Sequence, residues 1–178
     1  MNKNILVTGC AGFIGSQVCK FLKKKYNLYG IDDFSTGLRR NLVKGVKIID
    51  HKNFTKKKFD TIIHCAGQSS GEKSFWDPEN DFNRNFLLTK KIINFAIKTK
   101  VRKFIFLSSM SVYGEINGEA KININCNPKS YYGLHKFMSE NYISFFENKI
   151  DFTILRLFNV YGPGQNLKIN YQGMVSIF

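Results

Sequence analysis

The stretch that most limits how this chain can fold is KNILVTGCAGFIGSQVCKFL, residues 3–22. A short apolar run, "KNILVT", meets three glycines spaced three apart, Gly9, Gly12 and Gly15. These open onto a segment whose apolar residues Phe13, Ile14, Val18, Phe21 and Leu22 recur at helical spacing. Strand, tight turn and amphipathic helix in that order begin a parallel sheet, because parallel strands need a crossover and a helix is the usual one. The glycines permit the turn and let a diphosphate approach the backbone, where the helix N-terminus offers N–H groups and partial positive charge. A lone glycine triplet is weak evidence. Here it follows the first strand, opens the first helix, and precedes Asp32 and Asp33 at the end of the second strand pattern, where a ribose ligand is expected. A carboxylate there accepts from ribose hydroxyls and repels a 2′-phosphate, which favours NAD over NADP. Arg39 and Arg40 lie close enough in sequence to meet a phosphate, although exposed helix-face charges are the simpler reading for both.

The alternation continues along the chain. Residues 27–32, 46–49, 60–66, 103–109 and 152–158 read as strands, and 79–100 and 130–148 as long helices. The fold class is therefore α/β, a doubly wound parallel sheet (Rossmann fold), with ligands expected at the carboxyl ends of the strands. At 178 residues and 43% hydrophobic, the chain can bury one sizeable core and is read as one domain. The net charge of +14 comes from lysines spread through segments such as "KFLKKKY" and "TKKKF". They read as solvated faces and not as a nucleic-acid surface. No apolar run approaches the roughly 20 residues of a membrane span, and the N-terminus enters a strand without a signal-peptide core, so a cytoplasmic protein is expected. Cys10, Cys19, Cys65 and Cys126 lack zinc-site spacing and read as reduced core thiols, with no metal implied.

Residues 131–136, "YYGLHK", place a phenol and an ammonium one helical turn apart. On a helix over 130–148, Tyr132 and Lys136 share a face, while Tyr131 turns towards packing. Sustaining a phenolate near neutral pH needs a shift of about 3 units, ~4 kcal/mol. A nearby ammonium and the positive ring of an oxidised nicotinamide both favour the anion, which would make Tyr132 a general base. Ser108 and Ser109, in "SSMSVYG" after the fifth strand, bring a hydroxyl to the same end of the sheet, able to pass a substrate proton to that base.

Taken together, "TGCAGFIG", "IDDFSTG", "HCAGQSS", "SSMSVYG", "YYGLHK" and "LRLFNVYGPGQ" resemble, in order and over nearly the whole chain, the extended short-chain dehydrogenase/reductases of the NAD-dependent nucleotide-sugar epimerase/dehydratase family, UDP-glucose 4-epimerase among them. The resemblance implies roles. Gly9, Gly12, Phe13, Ile14 and Gly15 would hold the pyrophosphate, Asp32 the ribose, and Asp50 would lie near the adenine. Ala66 and Gly67 would border the cofactor, and Asn85 would support the site. Ser109, Tyr132 and Lys136 would be catalytic, Lys136 also binding ribose, and Asn159 would hold the substrate phosphates. The implied reaction is transient oxidation at a sugar carbon, usually C4, followed by return of hydride to the opposite face. NAD then acts as a bound prosthetic group in sugar-nucleotide or surface-polysaccharide biosynthesis.

Dehydratases of the family carry an acidic pair where this chain has Met110 and Ser111, so epimerisation is favoured over 4,6-dehydration, and decarboxylation stays open. Cys10 replaces a small residue and would leave a thiol near the cofactor phosphates. His135 stands at a serine or threonine position and is given no catalytic role. His64 reads as a satisfied buried side chain. Relatives are expected to continue past "GPGQN" into a substrate lobe, of which 160–178 resembles only the start. A truncated or interrupted reading frame with an exposed apolar edge is the expectation, most of the substrate lobe being absent. Three functions remain open: a nucleotide-sugar epimerase, a dinucleotide-binding remnant without turnover, and a basic binding protein. The resemblance also implies a homodimer through helices 79–100 and 130–148.

Overall fold

The computed structural model describes residues 3–50 and 54–166. Among these, six strands form one sheet: β1 (Asn4–Thr8), β2 (Asn27–Ile31), β3 (Lys47–Ile48), β4 (Thr61–His64), β5 (Lys103–Ser109) and β6 (Asp151–Leu157). Every neighbouring pair is parallel, in the order β3-β2-β1-β4-β5-β6. The order reverses between β1 and β4, the place where open sheets of this kind bind ligands. The helices are α1 (Phe13–Leu22), α2 (Gly71–Trp76), α3 (Pro78–Phe82), α4 (Leu88–Lys98) and α5 (Tyr131–Ser144).

The period-2 geometry of strands divides the apolar residues between two cores. Leu6, Ile62, Phe104 and Phe106 face α4 and α5, where they pack with Ile92, Ile93, Ala96 and Ile143. Their sequence neighbours Ile5, Val7, Ile63 and Leu107 face the other way, towards Ile14, Val18 and Leu22 of α1. Both faces of the central strands are thus covered, as a near-continuous apolar strand sequence requires. The edge strand β6 is only half-buried, and Leu155, Phe158 and Tyr161 on and after it are 42%, 56% and 66% exposed.

Two helical expectations need correction. The segment 79–100 is not one α-helix: a π turn, Asn83–Leu87, separates α3 from α4. The widened turn resets the helical phase between buried polar Asp81 and Asn85 and the apolar run Ile92, Ile93, Ala96. The helix expected over 130–148 ends as α5 at Ser144, and the chain continues in tighter turns to Lys149. The six-residue α2 is too short to show periodicity, but Ser70 caps it by accepting from the Lys73 N–H at 3.1 Å.

Candidate active site

A cavity of about 680 Å³ opens at the carboxyl ends of the strands, within the size range of small-molecule sites. One wall is the turn after β1. Gly9 adopts φ +70°, and a Cβ there would stand 2.8 Å from Ala66 N, so the turn requires glycine. A Cβ on Gly15 would lie 2.1 Å from Gly9 O, so glycine also lets α1 sit against the turn. Side chains cap α2, α3 and α5, through Ser70, Asp77 and Ser130. α1, whose N-cap is Gly12, has no such cap. Its first N–H groups therefore face the cavity without an intrahelical or side-chain acceptor, an arrangement suited to a diphosphate. Gly12, Phe13, Ile14 and Gly15 all line the wall.

Asp32 lines the next part. Its carboxylate accepts from Ala11 N and Phe34 N, each at 2.8 Å, and so ties the glycine turn to the loop after β2. Asp33, more exposed, pairs with Arg84 at 3.0 Å, and Arg84 also donates to Ser35 Oγ at 2.8 Å. Arg84 is a basic residue on this cavity wall that sequence reading missed. Arg39 instead stacks on Phe34, 4.3 Å from the ring centre, and neither Arg39 nor Arg40 lines the cavity. Ala66 and Gly67 border the cavity beyond β4.

At the far end Ser109, Tyr132 and Lys136 come together. Ser109 ends β5, and its hydroxyl donates to Ser111 Oγ at 3.1 Å and lies near enough to the Tyr132 phenol to favour its anion. α5 starts at Ser130, which accepts from the Gly133 N–H at 3.1 Å, and so sets the rotation of the tyrosine and lysine. Lys136 Nζ donates to Leu107 O at 3.0 Å and lies 4.9 Å from the centre of the Phe106 ring and 5.9 Å from that of Tyr132. Burial lowers the Lys136 ammonium to about 8, against the opposing charges of Asp81 and Glu140. Burial raises the Tyr132 phenol above its ordinary value, the Ser109 hydroxyl opposes this, and the Asp81 charge adds to it. The protein's own groups therefore hold the phenol above its ordinary value.

Buried polar contacts lock these elements from behind. Glu140, one turn beyond Lys136, accepts from Ser108 Oγ at 2.5 Å and from Arg156 at 2.7 Å, joining α5 to β5 and β6. This assigns Ser108 a structural partner and leaves Ser109 to the cavity. The spacing Tyr132, Lys136, Glu140 was the available signal, since i, i+4, i+8 share one helical face.

Two other expected residues, Asp50 and Asn85, fall outside the cavity lining. Asp50 is exposed at the end of β3, outside the cavity lining. Asn85 is fully buried behind the lining, beside Gly67. Asn159 is exposed on the cavity rim after β6. The expectation of a Cys10 thiol near the phosphates is overturned: Cys10 is 1% exposed and packs against Gly30 in the core, where burial pushes its thiol up to about 12. Among the described residues all four cysteines are free, but Cys126 is only half-buried and is not a core thiol. No cluster of metal-ligating side chains occurs among the described residues, nor any helix long and apolar enough to cross a membrane.

His64 is fully buried, held by Thr8 Oγ1 at 2.6 Å and Thr89 Oγ1 at 3.0 Å. Burial, with the nearby Lys136 charge, lowers it to about 3. The unfolded chain then binds more protons than the folded one between about 6.5 and 3, so stability falls as pH drops through that window. Urea titrations should show a loss of ~3 kcal/mol by about pH 4.5 that is absent from His64→Gln. An equal acid loss in both proteins would contradict this assignment.

The sequence model of the NAD dependent epimerase/dehydratase family matches residues 5–178. This chain belongs to that family. Among its relatives, a putative UDP-glucose 4-epimerase of Methanocaldococcus jannaschii is 34% identical, the match covering 98% of this chain and 61% of the relative. Among solved structures, the UDP-N-acetylglucosamine 4-epimerase of Methanobrevibacter ruminantium superposes with a TM-score of 0.92 at 32% identity, over 98% of this chain and 61% of that one. The UDP-glucose 4-epimerase of Thermus thermophilus, solved in complex with NAD, gives 0.89 at 30% identity, over 98% of this chain and 60% of that one. The chain thus spans about three-fifths of the length of these family members.

Proposed function

We propose that this chain carries the cofactor site and catalytic groups of a nucleotide-sugar 4-epimerase that uses NAD. The observation that carries the reading is the convergence of Ser109, Tyr132 and Lys136 at one end of a cavity whose other end is the uncapped glycine turn. A dinucleotide fits this arrangement chemically: open N–H groups for a diphosphate at Phe13 and Ile14, and a carboxylate, Asp32, for a ribose. Asp33 engages Arg84, which favours NAD over its 2′-phosphorylated form. When bound, the dinucleotide supplies the hydride acceptor and, in its oxidised form, a positive ring beside Tyr132 that favours the phenolate.

The protein's part is to move a proton and to hold the sugar. Ser109 bonds the C4 hydroxyl of the substrate and relays its proton to Tyr132, and Lys136 holds the ribose hydroxyls and keeps positive charge by the phenol. Met110 and Ser111 supply no carboxylate for elimination, so epimerisation is favoured over 4,6-dehydration. Residues 1–178 would form the NAD-binding domain, with 160–178 leading into a substrate-binding lobe, Asn159 meeting the substrate phosphates at the boundary; of that stretch, 167–178 lie outside the described residues. We place the protein in the cytoplasm, as a homodimer through the helical faces at 79–100 and 130–148, without a nucleic-acid partner.

Incubation with NAD and, in turn, UDP-glucose, UDP-N-acetylglucosamine and UDP-glucuronic acid, followed by chromatography of the products, tests the reading. Conversion of one of them to its C4 epimer is expected. If NAD raises the melting temperature while all three sugars return unchanged, the chain is a dinucleotide-binding protein without this activity.

A further inference from the structure

Three buried donors from three segments converge on one carboxylate behind the site. Asp81, on α3, is fully buried; its Oδ1 accepts from His135 Nδ1 at 2.7 Å. Its Oδ2 accepts from Gln68 Nε2 at 2.6 Å and from Asn85 Nδ2 at 3.1 Å. Gln68 is closed in turn on the Ser70 backbone: its Nε2 donates to Ser70 O at 2.7 Å, and its Oε1 accepts from Ser70 N. His135 lies on α5 directly before Lys136 and is also buried, between the rings of Phe82 and Tyr131.

We propose that Asp81 and His135 form a positioning couple that fixes the Asn85 amide with its oxygen turned towards Lys136. The proposal deepens the reading of Lys136 and Tyr132 as working groups and rests on it. A carboxylate only accepts, so Asn85 must offer its NH2 to Asp81 and its oxygen to the opposite side. On that side is Gly67. A Cβ added there would stand 2.6 Å from Asn85 Oδ1 and 3.4 Å from Lys136 Nζ, so both groups flank the same glycine. Asn85 Oδ1 is buried and has no hydrogen-bond partner among the described residues. A fully buried acceptor left in this state is costly and calls for a donor, and the Lys136 ammonium across Gly67 is a charged one. Lys136 has three N–H bonds and gives one to Leu107 O.

Asp81 needs His135 to hold this arrangement. Without the His135 N–H, Asp81 Oδ1 loses its partner, and the carboxylate that orients the Asn85 amide is free to turn. A serine at 135 is too short to reach across to α3, whereas asparagine places an N–H near the position of His Nδ1. The charge on Asp81 also reaches both working groups: it supports the Lys136 ammonium and opposes ionisation of Tyr132. Glu140, the other buried acid facing Lys136, is engaged by Ser108 and Arg156.

The test uses the full chain without substrate. In ¹H–¹⁵N spectra, the Asn85 side-chain amide, assigned by its loss in Asn85→Ala, should show one downfield, slowly exchanging proton. That signal should be lost or displaced in His135→Ser and Asp81→Asn and restored in His135→Asn. In ¹³Cε-lysine spectra, the Lys136 signal, assigned with Lys136→Met, should titrate with an acid constant roughly tenfold larger in Asp81→Asn. An Asn85 amide that does not move in His135→Ser, or that moves equally in His135→Asn, overturns the couple, as does an unshifted Lys136 midpoint in Asp81→Asn. Should Asp81→Asn fail to fold, the two His135 variants decide. Because no sugar is needed, the outcomes separate: expected spectra without sugar conversion overturn the epimerase reading alone, and conversion with an unmoved amide overturns the couple alone.

Discussion

On the proposed epimerase reading, Tyr132→Phe should lower the rate of UDP-sugar epimerisation by about 10³-fold, within the range of general acid–base contributions. The ring is 8% exposed and packs at the start of α5, and phenylalanine preserves its shape, so neither the fold nor the cavity should change. What is lost is the phenol oxygen that Ser109 influences. Ser109 remains, but its hydroxyl is left with only Ser111 Oγ and the Ser111 N–H, each at 3.1 Å, and neither can accept a proton as a base. The stabilisation of the melting temperature by NAD should be nearly the same in variant and parent, because the diphosphate and adenosine-ribose contacts would lie at the other end of the cavity and Lys136 is unchanged. A variant that retains a tenth or more of the parental rate would remove Tyr132 from the mechanism.

The second large effect concerns the glycine turn. In Gly15→Ala the new methyl would meet Gly9 O at 2.1 Å and Gly9 C at 2.8 Å, both backbone atoms that cannot rotate away. Either α1 tilts off the turn or the turn moves towards Ala66, where Gly9 already leaves no room for a Cβ. Both responses displace the N–H groups of the helix start. NAD binding should weaken by about 100-fold, ~3 kcal/mol, as expected for forced overpacking. Calorimetric titration of NAD measures this directly. Parental affinity in a folded Gly15→Ala protein would mean that the diphosphate does not sit on this turn.

Local patterns were legible in the sequence because local chemistry produces them. Strand, glycine turn and helix follow from adjacent residues, and Tyr132 and Lys136 follow from a four-residue spacing, so the sequence carries both. The partners that tune them did not. His135 finds Asp81 across 54 residues, Arg84 finds Asp33 across 51, and Glu140 finds Arg156 across 16. Nothing local specifies such pairs, since the sheet order alone brings them together. The π turn escaped for a different reason: its residues, NRNFL, have no distinctive composition, and one widened turn leaves the apolar spacing on either side intact. Cys10 was misplaced because a residue inside a loop that binds phosphate need not face the phosphate. The backbone of the turn sends that side chain under β2, against Gly30.

The most direct measurement is a crystal structure of the chain soaked with NAD. The account requires the pyrophosphate on the N–H groups at the start of α1, the adenosine ribose on Asp32, and the nicotinamide between Gly67 and Tyr132. Density for NAD anywhere else, or an empty cavity at saturating NAD in a crystal whose lattice leaves the opening free, would contradict it.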